Sequence, residues 1–234
     1  PISPLNKKHN DDAIQYTANP DHLEQIEALL FHAKETMTSP CSFHLLSHVS
    51  DPDSFAKVKS DFSKLFKRAL KRQYKDSEQQ VPEVLLVYSV EFKITSVDEI
   101  EDTDKAYTGE ASKVKRPFLH MHVCVIADCN KTIPQAFPKR AMQALNEIDG
   151  LTKARYFRTK PRYVMVYNEA EAKLVKTRTE SQMYKSLKKE FDDVYERVKY
   201  LAKVEQKDAE NIPFRQTFGI SRLSKKTTTK AAMK

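Results

Sequence analysis

Glycine is nearly missing from this sequence: it occurs three times in 234 residues, at Gly109, Gly150 and Gly219. A Walker A loop or a dinucleotide fingerprint needs clustered glycines, so that backbone amides can close on phosphate. No such cluster exists, which argues against an ATP-driven motor or a nicotinamide enzyme within this chain. Cysteine is also scarce and odd in number: Cys41, Cys124 and Cys129, with no CxxC spacing. A disulfide framework and a structural zinc knuckle are therefore not expected, and a reducing, cytoplasmic setting is. No apolar run approaches the ~20 residues of a membrane span, and no signal peptide is visible. A membrane is not among the expected partners.

What the chain does have is a sizeable apolar fraction (40%) beside abundant charge (31%), the balance of a folded rather than a disordered protein. Basic residues outnumber acidic ones 40 to 32, for a net charge of +8. Such a surface favours a polyanionic partner, most often nucleic acid.

Residues 1–19 are polar and aperiodic and read as an arm. Residues 21–37 carry Leu23, Ile26, Leu29 and Leu30 at helical spacing. CSFHLLSHV (41–49) reads as a strand. A helix capped by Asp51 or Ser54 runs to about Lys75, with Phe55, Phe62, Phe66 and Leu70 on one side. Its other side holds Lys64, Lys67, Arg68, Lys71 and Arg72. Residues 84–94 and 116–126 alternate as strands, separated by an acidic loop. A helix is expected over 134–148, opened by Pro134; one or two short strands over 152–167; and a long helix over roughly 180–206. The stretch 212–234 has six basic residues and no acidic one, and reads as a basic tail. The order predicts an α+β fold: one domain, 20–211, with a central antiparallel sheet of about five strands. Helices cover its apolar face and leave a polar face open.

The strongest local signal is His120-Met121-His122. Side chains two apart on a strand share a face, so both imidazoles can converge on one divalent cation. The opposite face (Leu119, Met121, Val123, Val125) is wholly apolar. Glu91 is the best third ligand, because it lies on the polar face of the preceding strand; Glu83, Glu110 and Asp128 are fallbacks. Softness favours Mn²⁺, Co²⁺, Ni²⁺ or Zn²⁺ for this set, while a substrate phosphate oxygen could complete a shell around Mg²⁺. His44 and His48 share a face of their own strand, one that can approach this site; a structural role is the first expectation for them.

On the 180–206 helix the apolar stripe runs through Met183, Leu187, Phe191, Val194, Tyr195, Val198, Leu201 and Ala202. At ~100° per residue, Tyr195 lies with the stripe and Tyr200 on the polar side. Lys203, three residues on, neighbours the Tyr200 ring. A phenol has a pKa near ~10, and a nearby ammonium favours the phenolate. Tyr200 and Lys203 thus read as nucleophile and electrostatic helper.

Taken together, PFLHMHVCVIAD followed by YLAK (200–203) resembles the HUH endonuclease superfamily. The order, with VEFK before the histidines and FGISRLSKK (218–226) after the tyrosine, resembles rolling-circle replication initiators of bacterial plasmid or filamentous-phage type. The resemblance spans roughly residues 40–225. It implies a metal, Mn²⁺ or Mg²⁺, held by His120, His122 and Glu91. It implies attack by Tyr200 on single-stranded origin DNA to leave a 5′-phosphotyrosyl link, with Lys203 orienting the phosphate or metal. Some relatives carry two tyrosines four apart; Tyr195 and Tyr200 are five apart, so a single-tyrosine mechanism is expected. A second cleavage would then need a second copy of the chain, and a host helicase is a further candidate partner. Lys64, Lys67, Arg68, Lys71, Arg72, Arg222, Lys225 and Lys226 are candidate contacts to the DNA backbone. The alternatives are an HUH transposase or relaxase, a non-catalytic nucleic-acid-binding protein, and a metal hydrolase that uses water.

Overall fold

The computed structural model describes residues 17–101, 113–132, 136–157, 164–165, 192, 194–204 and 212–223. Its centre is the hairpin the alternation anticipates. β2 (Val84–Ser96) pairs antiparallel with β3 (Lys115–Asp128), in unbroken register from Val84↔Ala127 to Ser96↔Lys115. β1 (Pro40–Val49) lies antiparallel on the other side of β3. β4 (Leu151–Tyr156) pairs with β1, as does the short β5 (Val164–Met165). β6 (Phe218–Ile220) closes the far edge against β2, giving the order β4-β1-β3-β2-β6. The fold is α+β with an antiparallel sheet, as the sequence implies.

One face of the sheet is apolar by strict alternation. Leu86, Val90, Met121, Val123 and Val125 are fully buried there, beside Phe43 and Leu45 of β1. Three helices cover this face: α2 (Pro52–Val58), α3 (Phe62–Gln73) and the helix Phe137–Asn146. Asp51 caps α2 by accepting from the Ser54 amide. Phe55, Phe62, Phe66 and Phe137 are fully buried in the same cluster. Each contributes roughly 1.5–3 kcal/mol on burial.

The other face is not wholly polar, and this refines the expectation of helices on one side only. Cys124, His122 and His120 do lie on it, but so do Leu85, Val87 and Ile126. An uncovered sheet would leave those three wet. Instead α1 (Pro20–Thr36) packs Ile26, Leu29, Leu30 and Ala33 over them. Val194, Val198, Leu201 and Ala202 complete the layer. The face is thus divided along its length into an apolar half under helices and a polar half beside them.

Three sequence readings are corrected. The late helix does not run to residue 206: α-helix covers 194–199, a 3-10 turn takes Tyr200–Ala202, and Lys203 turns extended at φ −58, ψ 146. The cause is tertiary pairing. Lys203 bridges Ala18, the Asn19 amide donates to the Ala202 carbonyl (2.8 Å), and the Val204 amide donates to that of Thr17 (2.8 Å). Residues 17–19 accordingly belong to the fold and not to a loose arm. The basic tail is likewise shortened, because Ile212, Phe214 and Phe218 are buried and β6 is an integral strand. Residues 224–234 and most of 180–193 lie outside the described residues. So does Pro134, and the helix expected there begins at Phe137. No helix among the described residues is long and apolar enough to cross a membrane.

Candidate metal centre and its tyrosine

Glu91 and His120 are direct cross-strand partners, and Ser89 stands opposite His122. Odd positions of β2 and even positions of β3 face the same way, so the pairing drives a carboxylate between two imidazoles. Glu91 Oε2 lies 3.4 Å from His120 Nε2 and 3.4 Å from His122 Nε2. One ligand atom from each residue lies within 4.8 Å of the others. A cation ~2.1 Å from each of two donors in tetrahedral array sets those donors about 3.4 Å apart. The spacing therefore fits a first-row divalent ion, and the group Glu91, His120 and His122 could hold one.

All three residues are buried, with exposures of 0%, 4% and 1%. Burial pushes the His120 imidazole down to about 4, against the favourable pull of Glu91, and lowers His122 too. Both rings are therefore neutral near pH 7 and offer lone pairs, as metal ligation requires. Burial alone would raise the Glu91 carboxyl. Hydrogen bonding by the two imidazoles and the charge of Lys203 outweigh it, and the group is held below the usual carboxylate range. Glu91 Oε1 is buried with no hydrogen-bond partner, which leaves it a lone pair for a cation.

Around this trio stand residues of β1, of β4 and the position after it, and of β3 itself. His44 of β1 places Nε2 3.2 Å from His122 Nδ1. That contact fixes the orientation of the His122 ring, with Nε2 turned toward Glu91. Phe157, just past β4, stacks on His44 (centroids 4.5 Å) and meets His122 edge-on (4.5 Å). Phe118 stacks on His120 at 5.1 Å. His48 contacts Phe118 and accepts from Arg155 Nη1 at 2.7 Å.

Tyr200 and Lys203 reach this centre from the 3-10 turn. The Tyr200 ring stands edge-on to His122 with centroids 5.3 Å apart. Lys203 Nζ is 2.6 Å from Glu91 Oε2, and its ammonium also donates to the Tyr200 hydroxyl oxygen. The ammonium thus links the phenol to the carboxylate. Tyr195 is half-buried at the edge of the α1 layer, away from this arrangement.

Of the fallback ligands, Asp128 and Glu83 are not part of the trio. Asp128 caps the turn after β3 by accepting from the Ser39 and Asn130 amides. Glu83 offers its carbonyl to the Asp128 amide, and Glu110 lies outside the described residues.

The basic candidates separate. Lys64, Lys67 and Arg222 line one groove at the β6 edge. Arg68 and Arg72 line a smaller one beside Glu147 and Asp149. Arg72 Nε donates to Glu147 Oε2 at 2.8 Å, so this arginine is already engaged within the protein. Lys71 is exposed on the same helix, and Lys225 and Lys226 lie outside the described residues.

Sequence reading allowed His44 to approach the site but favoured a structural role; its even-numbered place on β1 is the signal that sets it against His122 once β1 is paired with β3. Phe157 carries no such signal, being one of two adjacent aromatics, with Tyr156, at a strand end. Comparison of the chain with protein-family models, curated proteins and solved structures returned no match.

Proposed function

We propose that this chain is a metal-dependent, site-specific single-stranded DNA endonuclease of the HUH type. Its task would be to start rolling-circle replication, with Tyr200 as nucleophile. The observation that carries this reading is the meeting of two independent pieces: a buried Glu91–His120–His122 donor set, and a tyrosine whose hydroxyl shares an ammonium with that set. A catalytic metal needs its donors, and a phosphotyrosyl intermediate needs a phenol beside them.

Glu91, His120 and His122 would hold Mn²⁺ or Mg²⁺. When bound, the cation supplies Lewis-acid polarisation of the scissile phosphate. The chain's own groups do the rest. The Tyr200 oxygen attacks phosphorus, the bond to the 3′ oxygen breaks, and that oxygen takes up a proton to become a free 3′-hydroxyl. The 5′ phosphate stays on Tyr200. Lys203 donates to the phenolic oxygen and so stabilises the charge it develops as it loses its proton. Phe157 and Phe118 flank the imidazoles and shield them from water. One tyrosine at the centre gives one cleavage per chain, so a second copy would perform a second.

The test is incubation with single-stranded oligonucleotides and Mn²⁺, resolved on a denaturing gel. A mass-shifted protein–DNA species is expected, and Tyr200→Phe should abolish it while preserving DNA binding. Cleavage without an adduct would point to water as nucleophile. No cleavage by the unmodified protein across a broad set of origin-like oligonucleotides would favour a binding protein instead.

A further inference from the structure

We propose that the groove at the β6 edge is a second nucleic-acid site, gripping the phosphodiester backbone of DNA that flanks the strand presented to Tyr200. The choice of DNA as the polyanion rests on the function proposed above; the groove itself does not. It is a cavity of about 610 Å³, into which Lys64 and Lys67 of α3 and Arg222 after β6 all project. These three cations are exposed, and none forms an ion pair among the described residues. Lys59 adds a fourth at the inner end, its ammonium 4.4 Å from the Phe214 ring. Asp61 is the single carboxylate of the lining. A basic helix face alone would be a common solvated surface. Here cations from two segments far apart in the sequence converge on one concavity, which concentrates positive potential where an extended anion can lie.

The groove has a built floor. The Tyr88 ring lies directly against Gly219, where a Cβ would come within 2.2 Å of it. The Tyr88 hydroxyl donates to the Lys59 carbonyl at 3.2 Å. That ring therefore ties the short turn Lys59–Asp61, which runs into α3, to β6, and so helps set the spacing between Lys64 and Arg222. β6 is also the last strand of the sheet. The Ser221 amide pairs inward with Leu86 (2.8 Å) and the Val90 amide with Thr217 (2.7 Å). Antiparallel alternation then turns the Ile220 amide outward, at the groove's rim. Lysine, arginine and an outward amide are the donor set that reads phosphate without reading bases.

The placement suits flanking DNA. Tyr88 in the floor and Glu91 in the metal centre are three residues apart on β2 and face opposite ways. Their separation along the strand is about 10 Å, or roughly three phosphates of one DNA strand. DNA leaving Tyr200 and passing over the short β6 edge would enter the groove within a few nucleotides.

The test is fluorescence anisotropy with a single-stranded and a duplex oligonucleotide, in EDTA, as a function of salt. The full chain is compared with Lys64→Ala/Lys67→Ala/Arg222→Ala and with a control triple of exposed lysines elsewhere, Lys57→Ala/Lys75→Ala/Lys139→Ala. Three lost phosphate contacts should lower the slope of log K against log salt by about 2 for single strands and about 3 for duplex. For single strands this removes roughly a 15-fold loss of affinity between 50 and 200 mM salt. An unchanged slope, or an equal fall in the control triple, overturns the proposal. Tyr200→Phe separates the two readings, since it should abolish the covalent adduct and leave the slope intact. A falling slope without any adduct would keep the groove and remove the enzyme.

Discussion

The Lys203 ammonium sits 2.6 Å from the Glu91 carboxylate, and both groups are withdrawn from water, at 4% and 0% exposure. A buried carboxylate that loses its cation is left uncompensated, at a cost of about 3–5 kcal/mol. Lys203→Met should therefore lower stability by that order in EDTA. A divalent ion bound at Glu91 can replace the missing charge, so Mn²⁺ should recover much of the loss. Urea unfolding with and without Mn²⁺ checks this. Equal destabilisation in both buffers would mean that Glu91 binds no cation.

His44 touches His122 on the nitrogen opposite the one that faces Glu91. Its role is to orient that ring. Partners of this kind typically contribute 10–100-fold in metal affinity. His44→Phe keeps the ring that stacks on Phe157 and removes the hydrogen bond. Mn²⁺ affinity by calorimetry should fall within that range with the fold retained. His122→Ala should lose the ion altogether.

The imidazoles give the protein a one-sided pH dependence. In an unfolded chain a histidine protonates near ~6.5, whereas burial holds His120 down to about 4 in the fold. Between those values the unfolded chain takes up a proton that the folded one refuses. The stability contributed by the neutral ring is full above pH 6.5 and is lost progressively down to about pH 4. The total is on the order of 3 kcal/mol. Glu91, held below its ordinary range, acts in the same direction at lower pH. Metal-free chemical denaturation from pH 8 to pH 4 should show a monotonic decline. A maximum near pH 5 would contradict the buried neutral state.

Gly150 adopts φ +81, and a Cβ there would lie 2.4 Å from the Asp51 carbonyl oxygen. Its own carbonyl accepts from the Ser50 amide at 2.9 Å. Gly150→Ala combines an unfavourable backbone region with a collision against the helix cap. A loss of at least about 2 kcal/mol is expected, read by thermal or urea unfolding. Because Gly150 leads directly into β4, Mn²⁺ affinity should fall less than it does in His44→Phe.

Much of the centre was legible because β2 and β3 are long. Thirteen and fourteen residues of strand give parity enough repeats to place Glu91, His120 and His122 on one face without knowing the fold. The same parity set Leu85, Val87 and Ile126 on that face, but alternation says nothing of what covers them; α1 does so through non-local packing. The end of the late helix was hidden for a similar reason. Tyr-Leu-Ala-Lys-Val-Glu-Gln is good helix-forming sequence, and what stops it is pairing with residues 17–19. β6 has three residues, too few for a pattern, and owes its place to Gly219 fitting under Tyr88. Arg72 read as a free cation because its partner, Glu147, is 75 positions away.

The turn that carries Tyr200 is gripped on two sides, by Asn19 donating to Ala202 and by Thr17 accepting from Val204. Beginnings and ends of chains are usually where a molecule tolerates trimming or fusion. Here a stretch near residue 17 braces the turn that sets the Tyr200 ring against His122. Removing that stretch would loosen the turn that holds Tyr200, although the two lie far apart in the sequence.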